Sequence, residues 1–249
     1  MTGSPTAGQL AFCRTLASGA RQILGGKLHS FYIYGAMMFP RPAGWRVDVD
    51  FHVIASGYLT DIERENIRVL HERMARQDPL GGDLDGYYVL LADAKRRESP
   101  EHLVWPDVID FAWPLHRAHL HAGKFQLLYG EDPRRFVPQP SWPDCAAGLD
   151  NELQFVKKHP EHPQFGMLNL SRLLYSWKTR DVVTSKYQSA QWALRALDTT
   201  WHPALRAALR DYEGRPRPGD LKLLSSTFPG YLEFCDSEIG KSREEAGLS

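Results

Sequence analysis

The chain has 249 residues, 43% of them hydrophobic and 24% charged, with a mean hydropathy of −0.41; a fibre and a disordered tail are excluded, and one large domain or two small ones can bury a core without a disulfide staple. Its 30 Lys+Arg balance 30 Asp+Glu, and a pI near 7.2 argues against a nucleic-acid binder, which carries a basic domain or stripe. A small local phosphate site stays open.

In chain order, Leu10, Phe12, Leu16, Ala20, Ile23 and Leu24 recur at helical spacing and stop at Gly25-Gly26, which predicts a first helix over 8–24. Aromatic and β-branched runs at 28–34 and 47–54 read as strands around a Pro/Gly-rich loop from Phe39 to Trp45. Ile62, Ile67, Leu70 and Met74 mark a helix within 59–77, followed by a strand at 84–91, a helix at 113–122 and a strand at 125–129. The Pro-rich, charged stretch 130–143 reads as a linker. Beyond it, 144–158, 163–179, 185–197, 202–212 and 219–239 read as helices, with prolines as punctuation and a frayed end from Lys241. The expected fold is α+β: a mixed sheet with helices over 1–140, then an all-α bundle over 141–249.

Cys13, Cys145 and Cys235 are odd in number and lack paired spacing, so free thiols in a reducing cytoplasm are expected. No apolar run reaches the roughly 18–20 residues of a membrane span, and Met-Thr-Gly-Ser-Pro-Thr lacks the features of a signal peptide. The expectation is a cytoplasmic monomer with no nucleic-acid or membrane partner.

The most informative stretch is Tyr32-Ile-Tyr-Gly-Ala36, then, after the loop, Val47-Asp-Val-Asp-Phe-His-Val53. Strand alternation sends Asp48 and Asp50 to one face and Val47, Val49 and Phe51 to the other. Paired carboxylates repel unless a divalent cation neutralises them, and Mg²⁺ suits a few carboxylates plus substrate phosphates. Asp85, opening the next predicted strand, supplies a third acid, the minimum for metal-assisted phosphoryl or nucleotidyl transfer. Taken alone, the pair fits equally well the solvated face of an edge strand. The Gly35-Ala36 turn shifts the balance, because a small-residue turn lets backbone N–H groups approach a triphosphate.

Glycine, a loop and Asp-x-Asp resemble the DNA polymerase β-like nucleotidyltransferase fold. Met167-Leu-Asn-Leu-Ser-Arg-Leu-Leu-Tyr-Ser-Trp-Lys-Thr179, Thr184-Ser-Lys186, Gln191-Trp-Ala-Leu194 and Leu209-Arg-Asp-Tyr-Glu-Gly214 resemble the C-terminal helical domain of streptomycin/spectinomycin adenylyltransferases. Leu127–Phe136 is similar to that family's interdomain link. The resemblance spans roughly 28–240. It implies that Asp48 and Asp50 bind the metal, that Asp85 stands in for a catalytic glutamate or serves as a third metal ligand, and that Arg172, Lys186 and Tyr212 hold the triphosphate of ATP, with Gly35 and Ala36 at the phosphate turn. Alone, Arg172 and Lys186 read as surface cations.

The sequence departs from the family in Ala36 and Val47, where serines contact phosphate or metal; Arg41 or Arg46 would compensate. Phe155-Val-Lys-Lys-His-Pro-Glu-His162 replaces the tryptophan and acids that bind a cationic aminoglycoside, and Lys157 and Lys158 repel a polycation. His116, His119 and His121 read as solvated helix histidines, since only the first two share a face. Trp113, Trp177 and Trp192 read as core. Signatures of a Ser-His-Asp hydrolase, a P-loop and a Rossmann dinucleotide site are lacking.

The resemblance therefore implies Mg²⁺-dependent transfer of AMP from ATP to a hydroxyl of a small-molecule acceptor, an aminoglycoside among the candidates, with release of pyrophosphate, ATP and Mg²⁺ lying between two domains, and antibiotic resistance as the outcome. A rival is a degenerate nucleotide-binding or regulatory protein of the same fold. Charge fits transfer: residues 41–110 carry 14 acids against 9 bases and residues 171–210 carry 7 bases against 2 acids, so neutrality is a sum of a metal-facing and a phosphate-facing patch.

Overall fold

The computed structural model describes residues 3–247. Its contacts cluster into two units, a sheet unit of residues 3–39 and 47–145 and a helical unit of residues 40–46 and 146–247. Among the described residues no helix is long and apolar enough to cross a membrane, and the three cysteines are free and buried.

The sheet unit opens with α1, Ala7–Leu24. Thr6 accepts from the Gln9 N–H and Gln9 returns the bond to the Thr6 N–H, a capping box that satisfies two otherwise orphaned donors. Strand β1, Leu28–Ile33, is followed by the one-turn 3₁₀ segment Gly35–Met38, and β2 runs Val49–Ala55. Helix α2, Asp61–Gln77, carries a second capping box through Thr60 and Glu63, and Glu63 also receives the Lys27 ammonium at 2.7 Å. Next come β3, Leu84–Leu90, the single turn α3, Leu91–Ala94, α4, Trp113–His121, and β4, Gln126–Gly130. The sheet order is β3-β2-β1-β4, with β2 and β3 parallel and the other pairs antiparallel. The parallel pair requires a crossover, which α2 supplies.

Alternation divides the sheet's two faces. Phe31, Phe51 and Val53 are fully buried on one, each buried aromatic or aliphatic side chain stabilising the fold by about 1.5–3 kcal/mol. On the other, Tyr32, Tyr34, Ile54 and Val89 pack with Trp113 and Leu120 of α4. That face also carries His52 and Asp50, one and two alternations before Ile54 along β2.

The helical unit consists of α5, Trp142–Lys158, whose first turn belongs to the sheet unit, then α6, Pro163–Thr179, α7, Lys186–Ala196, α8, His202–Tyr212, and α9, Asp220–Glu245. Leu168, Leu170, Leu173 and Leu174 make α6 its fully buried axis. Ser171 on α6 gives its hydroxyl hydrogen to the Met167 carbonyl and meets the Tyr231 hydroxyl of α9 at 2.9 Å. The expected fraying from Lys241 is corrected: α9 stays helical to Glu245. Tertiary contacts override the polar composition there, since Arg243 pairs with Asp150 and lies 5.5 Å from the Trp177 ring centre, and Ser242 is buried.

Candidate active site

Strand β1 ends at Ile33, and Gly35 turns the chain with φ +71°. A Cβ at that position would stand 1.7 Å from Asp50 Oδ2, so only glycine fits, for both backbone and space. The neighbouring Ala36 N–H donates to the same Oδ2 at 3.3 Å, and the Tyr34 N–H donates to the Asp50 carbonyl at 3.0 Å. The turn and the Asp-x-Asp segment are thereby fastened together.

Asp48 lies just before β2, and Asp50 is in β2 itself. Asp50 is in register with Asp85 across the parallel β2–β3 pair. One oxygen each from Asp48, Asp50 and Asp85 lies within 4.8 Å of the others. Asp50 is half-buried and Asp85 exposed, leaving room for water and phosphate oxygens around an ion. An all-oxygen, solvent-facing donor set of this size fits Mg²⁺. The departures from serine are physical as well as nominal, because Val47 is buried and Ala36 offers only its backbone.

The other predicted binding residues belong to the helical unit. Lys186 is the first residue of α7, behind the N-cap Ser185, and its ammonium lies 4.4 Å from the Phe165 ring centre and 5.6 Å from that of Tyr212. A cation at a helix N-terminus makes a local positive field suited to phosphate. Tyr212 ends α8; its carbonyl accepts the Arg46 N–H at 2.7 Å, and its ring stands 5.3 Å from Trp45. The loop 40–46 thus runs against the residues expected to hold the triphosphate. Arg41, offered as a compensating cation, is buried, and burial lowers its pKa; Arg46 is exposed. Arg172 is engaged with Glu152 on α5 at 2.7 Å, an acid that Asn169 also contacts at 3.0 Å.

Beneath the carboxylates on the same sheet face lies a cluster the sequence reading missed. His52 Nε2 is 3.2 Å and His116 Nδ1 2.9 Å from Asp110 Oδ2, and the Tyr34 hydroxyl is 3.2 Å from His116 Nδ1. Tyr34 stacks on His52 with ring centres 4.6 Å apart. Burial raises the Tyr34 pKa well above 10, and Asp110, Asp50 and Asp85 add to the rise, so it stays a phenol. Burial lowers the His52 pKa and outweighs its contact with Asp110. Burial alone would raise the Asp110 pKa, but His116 and His52 together hold it below the ordinary carboxylate range.

The solvated reading of the α4 histidines is therefore corrected. His119 is buried against Phe39, and His121 meets the Val137 carbonyl at 2.9 Å. Helical spacing alone did not reveal what packs on each face. His52 carried a legible signal, since alternation puts it on the face of Asp48 and Asp50; Asp110, in an irregular segment, carried none. Trp113 and Trp177 are buried as expected, whereas Trp192 is half-buried.

Residues 146–225 match the family model of the aminoglycoside adenylyltransferase C-terminal domain. By sequence, no curated protein matches the chain. By structure, the chain is similar to spectinomycin adenyltransferase AAD(9) from Enterococcus faecialis, solved with ATP and spectinomycin, with a TM-score of 0.71 at 14% identity over 93% of this chain and 99% of that one.

Proposed function

From the premise that this chain belongs, through its C-terminal helical domain, to the aminoglycoside adenylyltransferase family of nucleotidyltransferases, we propose that it transfers AMP from ATP to a hydroxyl of a small-molecule acceptor. The observation that carries this reading is the triad of Asp48, Asp50 and Asp85 gathered beside the Gly35 turn. In the reaction the acceptor oxygen bonds to the α-phosphorus, the bond to the β-phosphate oxygen breaks, and pyrophosphate leaves.

Asp48, Asp50 and Asp85 would hold Mg²⁺. The ion supplies positive charge to the transferring phosphate and to the leaving pyrophosphate. Asp85, the exposed member, takes the proton of the acceptor hydroxyl; its side chain is one methylene shorter than a glutamate, so the acceptor must approach β3 closely. The Ala36 N–H and the Gly35 turn fix the orientation of the Asp50 carboxylate. Lys186 and the Tyr212 hydroxyl bind phosphate oxygens, and Arg172 does so by sharing or exchanging its Glu152 partner.

For the acceptor, the charge bears on the choice. Lys157 is neutralised by Asp236 at 2.8 Å, while Lys158 is exposed; with Glu152 already paired to Arg172, the helical unit favours an acceptor less cationic than streptomycin. The test is incubation with labelled ATP, Mg²⁺ and a panel of aminocyclitols and aminoglycosides, followed by mass analysis of the products. Adenylylated acceptor, absent with Asp48→Ala, supports the reading. ATP bound without product across the panel would favour the degenerate protein, to which Ala36 and the buried Val47 point.

A further inference from the structure

We infer that His52, Asp110, His116 and Tyr34 form a second metal centre, for one first-row transition-metal dication such as Zn²⁺, separate from the carboxylate triad. His52 Nε2, Asp110 Oδ2 and His116 Nδ1 all lie within 4.8 Å of one another. The His52 and Asp110 side chains are 0% and 1% exposed and that of His116 is 19% exposed, so the cluster is closed except along one imidazole edge.

Hydrogen bonding leaves this buried cluster incompletely satisfied. Both imidazole nitrogens address the same carboxylate oxygen, and the Tyr34 hydroxyl addresses the same His116 nitrogen. If His116 Nδ1 carries a hydrogen, Asp110 Oδ2 and the Tyr34 oxygen share that one donor. If Nδ1 is bare, nitrogen and carboxylate face each other at 2.9 Å as two acceptors. The other oxygen of Asp110, also buried, has no hydrogen-bond partner among the described residues. A buried unpaired acceptor on a charged group is costly.

A cation would accept lone pairs from His52 Nε2, Asp110 Oδ2 and His116 Nδ1 at once, with the Tyr34 phenol packed beside it. Neighbouring ligands on a four- to six-coordinate ion with bonds near 2.1 Å stand roughly 3.0–3.4 Å apart, and the 2.9–3.2 Å separations here fall close to that range. Two imidazoles and one carboxylate suit Zn²⁺, Fe²⁺, Co²⁺ or Ni²⁺ better than Mg²⁺, which favours oxygen alone. Both histidines bind as neutral rings with the hydrogen on the non-ligating nitrogen, and Asp110 is already ionised, so no oxidant or reductant enters. The ion would brace Tyr34, the residue before the Gly35 turn, against β2, two residues beyond Asp50.

The test is Co²⁺ titration of the metal-stripped full chain in excess Mg²⁺, read by visible absorption and by competition with Zn²⁺. One equivalent with a ligand-field band, displaced by Zn²⁺, lost in His116→Ala and kept in Asp48→Asn, is expected. Zn²⁺ should also raise the thermal midpoint of the wild-type chain but not of His116→Ala. Should His116→Ala fail to fold by circular dichroism, Tyr34→Phe replaces it, with a shifted band and weaker affinity expected. No band in the wild-type chain, or a band lost in Asp48→Asn and kept in the histidine variant, overturns the second centre.

Discussion

Asp50 and Asp85 stand opposite each other in register on the parallel strands β2 and β3. Like charges on directly facing strand positions cost about 0.2–1 kcal/mol, so without a cation this pair works against the fold. Asp85→Asn is therefore expected to be more stable than the wild-type chain in metal-free buffer by several tenths to about 1 kcal/mol, while Mg²⁺ should raise the thermal midpoint of the wild-type chain more than that of the variant. Calorimetry with and without Mg²⁺ checks both; a metal-free variant less stable than the wild type would mean that the two carboxylates do not repel.

Gly35 is held at φ +71° against Asp50 Oδ2. Gly35→Ala should lose about 1–3 kcal/mol of stability from backbone strain and crowding, and the displaced Asp50 should cost transfer activity beyond what the lost stability explains. Urea midpoints and turnover at a temperature where the variant is fully folded separate the two effects.

Lys186 lies over the rings of Phe165 and Tyr212. If its ammonium meets phosphate, one charge-assisted contact is worth about 1.5–3 kcal/mol, so Lys186→Gln should weaken ATP roughly 10–100-fold with an unchanged circular dichroism spectrum. An ATP affinity within twofold of wild type would restrict Lys186 to a packing role.

His102 gives a pH dependence of stability unrelated to catalysis. Its Nδ1 accepts the Val104 and Trp105 N–H groups at 2.9 and 3.2 Å, and its Nε2 meets the Gly86 carbonyl at 3.1 Å, which fixes one neutral tautomer. Burial lowers its pKa to about 4. Between pH 6.5 and 4 the unfolded chain takes up a proton that the folded chain refuses, so the contribution is complete above pH 6.5 and drains away as pH falls toward 4, by up to about 3 kcal/mol. His102→Asn keeps an acceptor near the Nδ1 position and does not titrate; it should be less stable at pH 7 and show a shallower acid loss, seen in denaturant midpoints across that range.

Much of this molecule is legible in the chain because its signals are local. Gly25, His159-Pro160 and Pro216 punctuate periodic apolar stretches, and helices and strands fall within a few residues of those marks. The Asp48/Asp50 pairing follows from alternation, and Gly35 from the need for a close turn. What stayed hidden depends on pairing across distance. The Asp50–Asp85 register arises only when α2 brings β3 alongside β2 in parallel, and Asp110 reaches His52 from 58 positions away. The last turn of α9 was obscured for the same reason: its polar residues are held by Asp150 and Trp177, which the local composition does not reveal.

Acceptor-dependent adenylyl transfer at the aspartate triad is tested by pyrophosphate release from ATP by the purified chain, with Mg²⁺, across a broad panel of hydroxyl acceptors, run beside Asp50→Asn. Release should require both Mg²⁺ and an acceptor and should fall at least about 100-fold in the variant. Release that persists undiminished in Asp50→Asn, or ATP binding with no release for any acceptor, would contradict it.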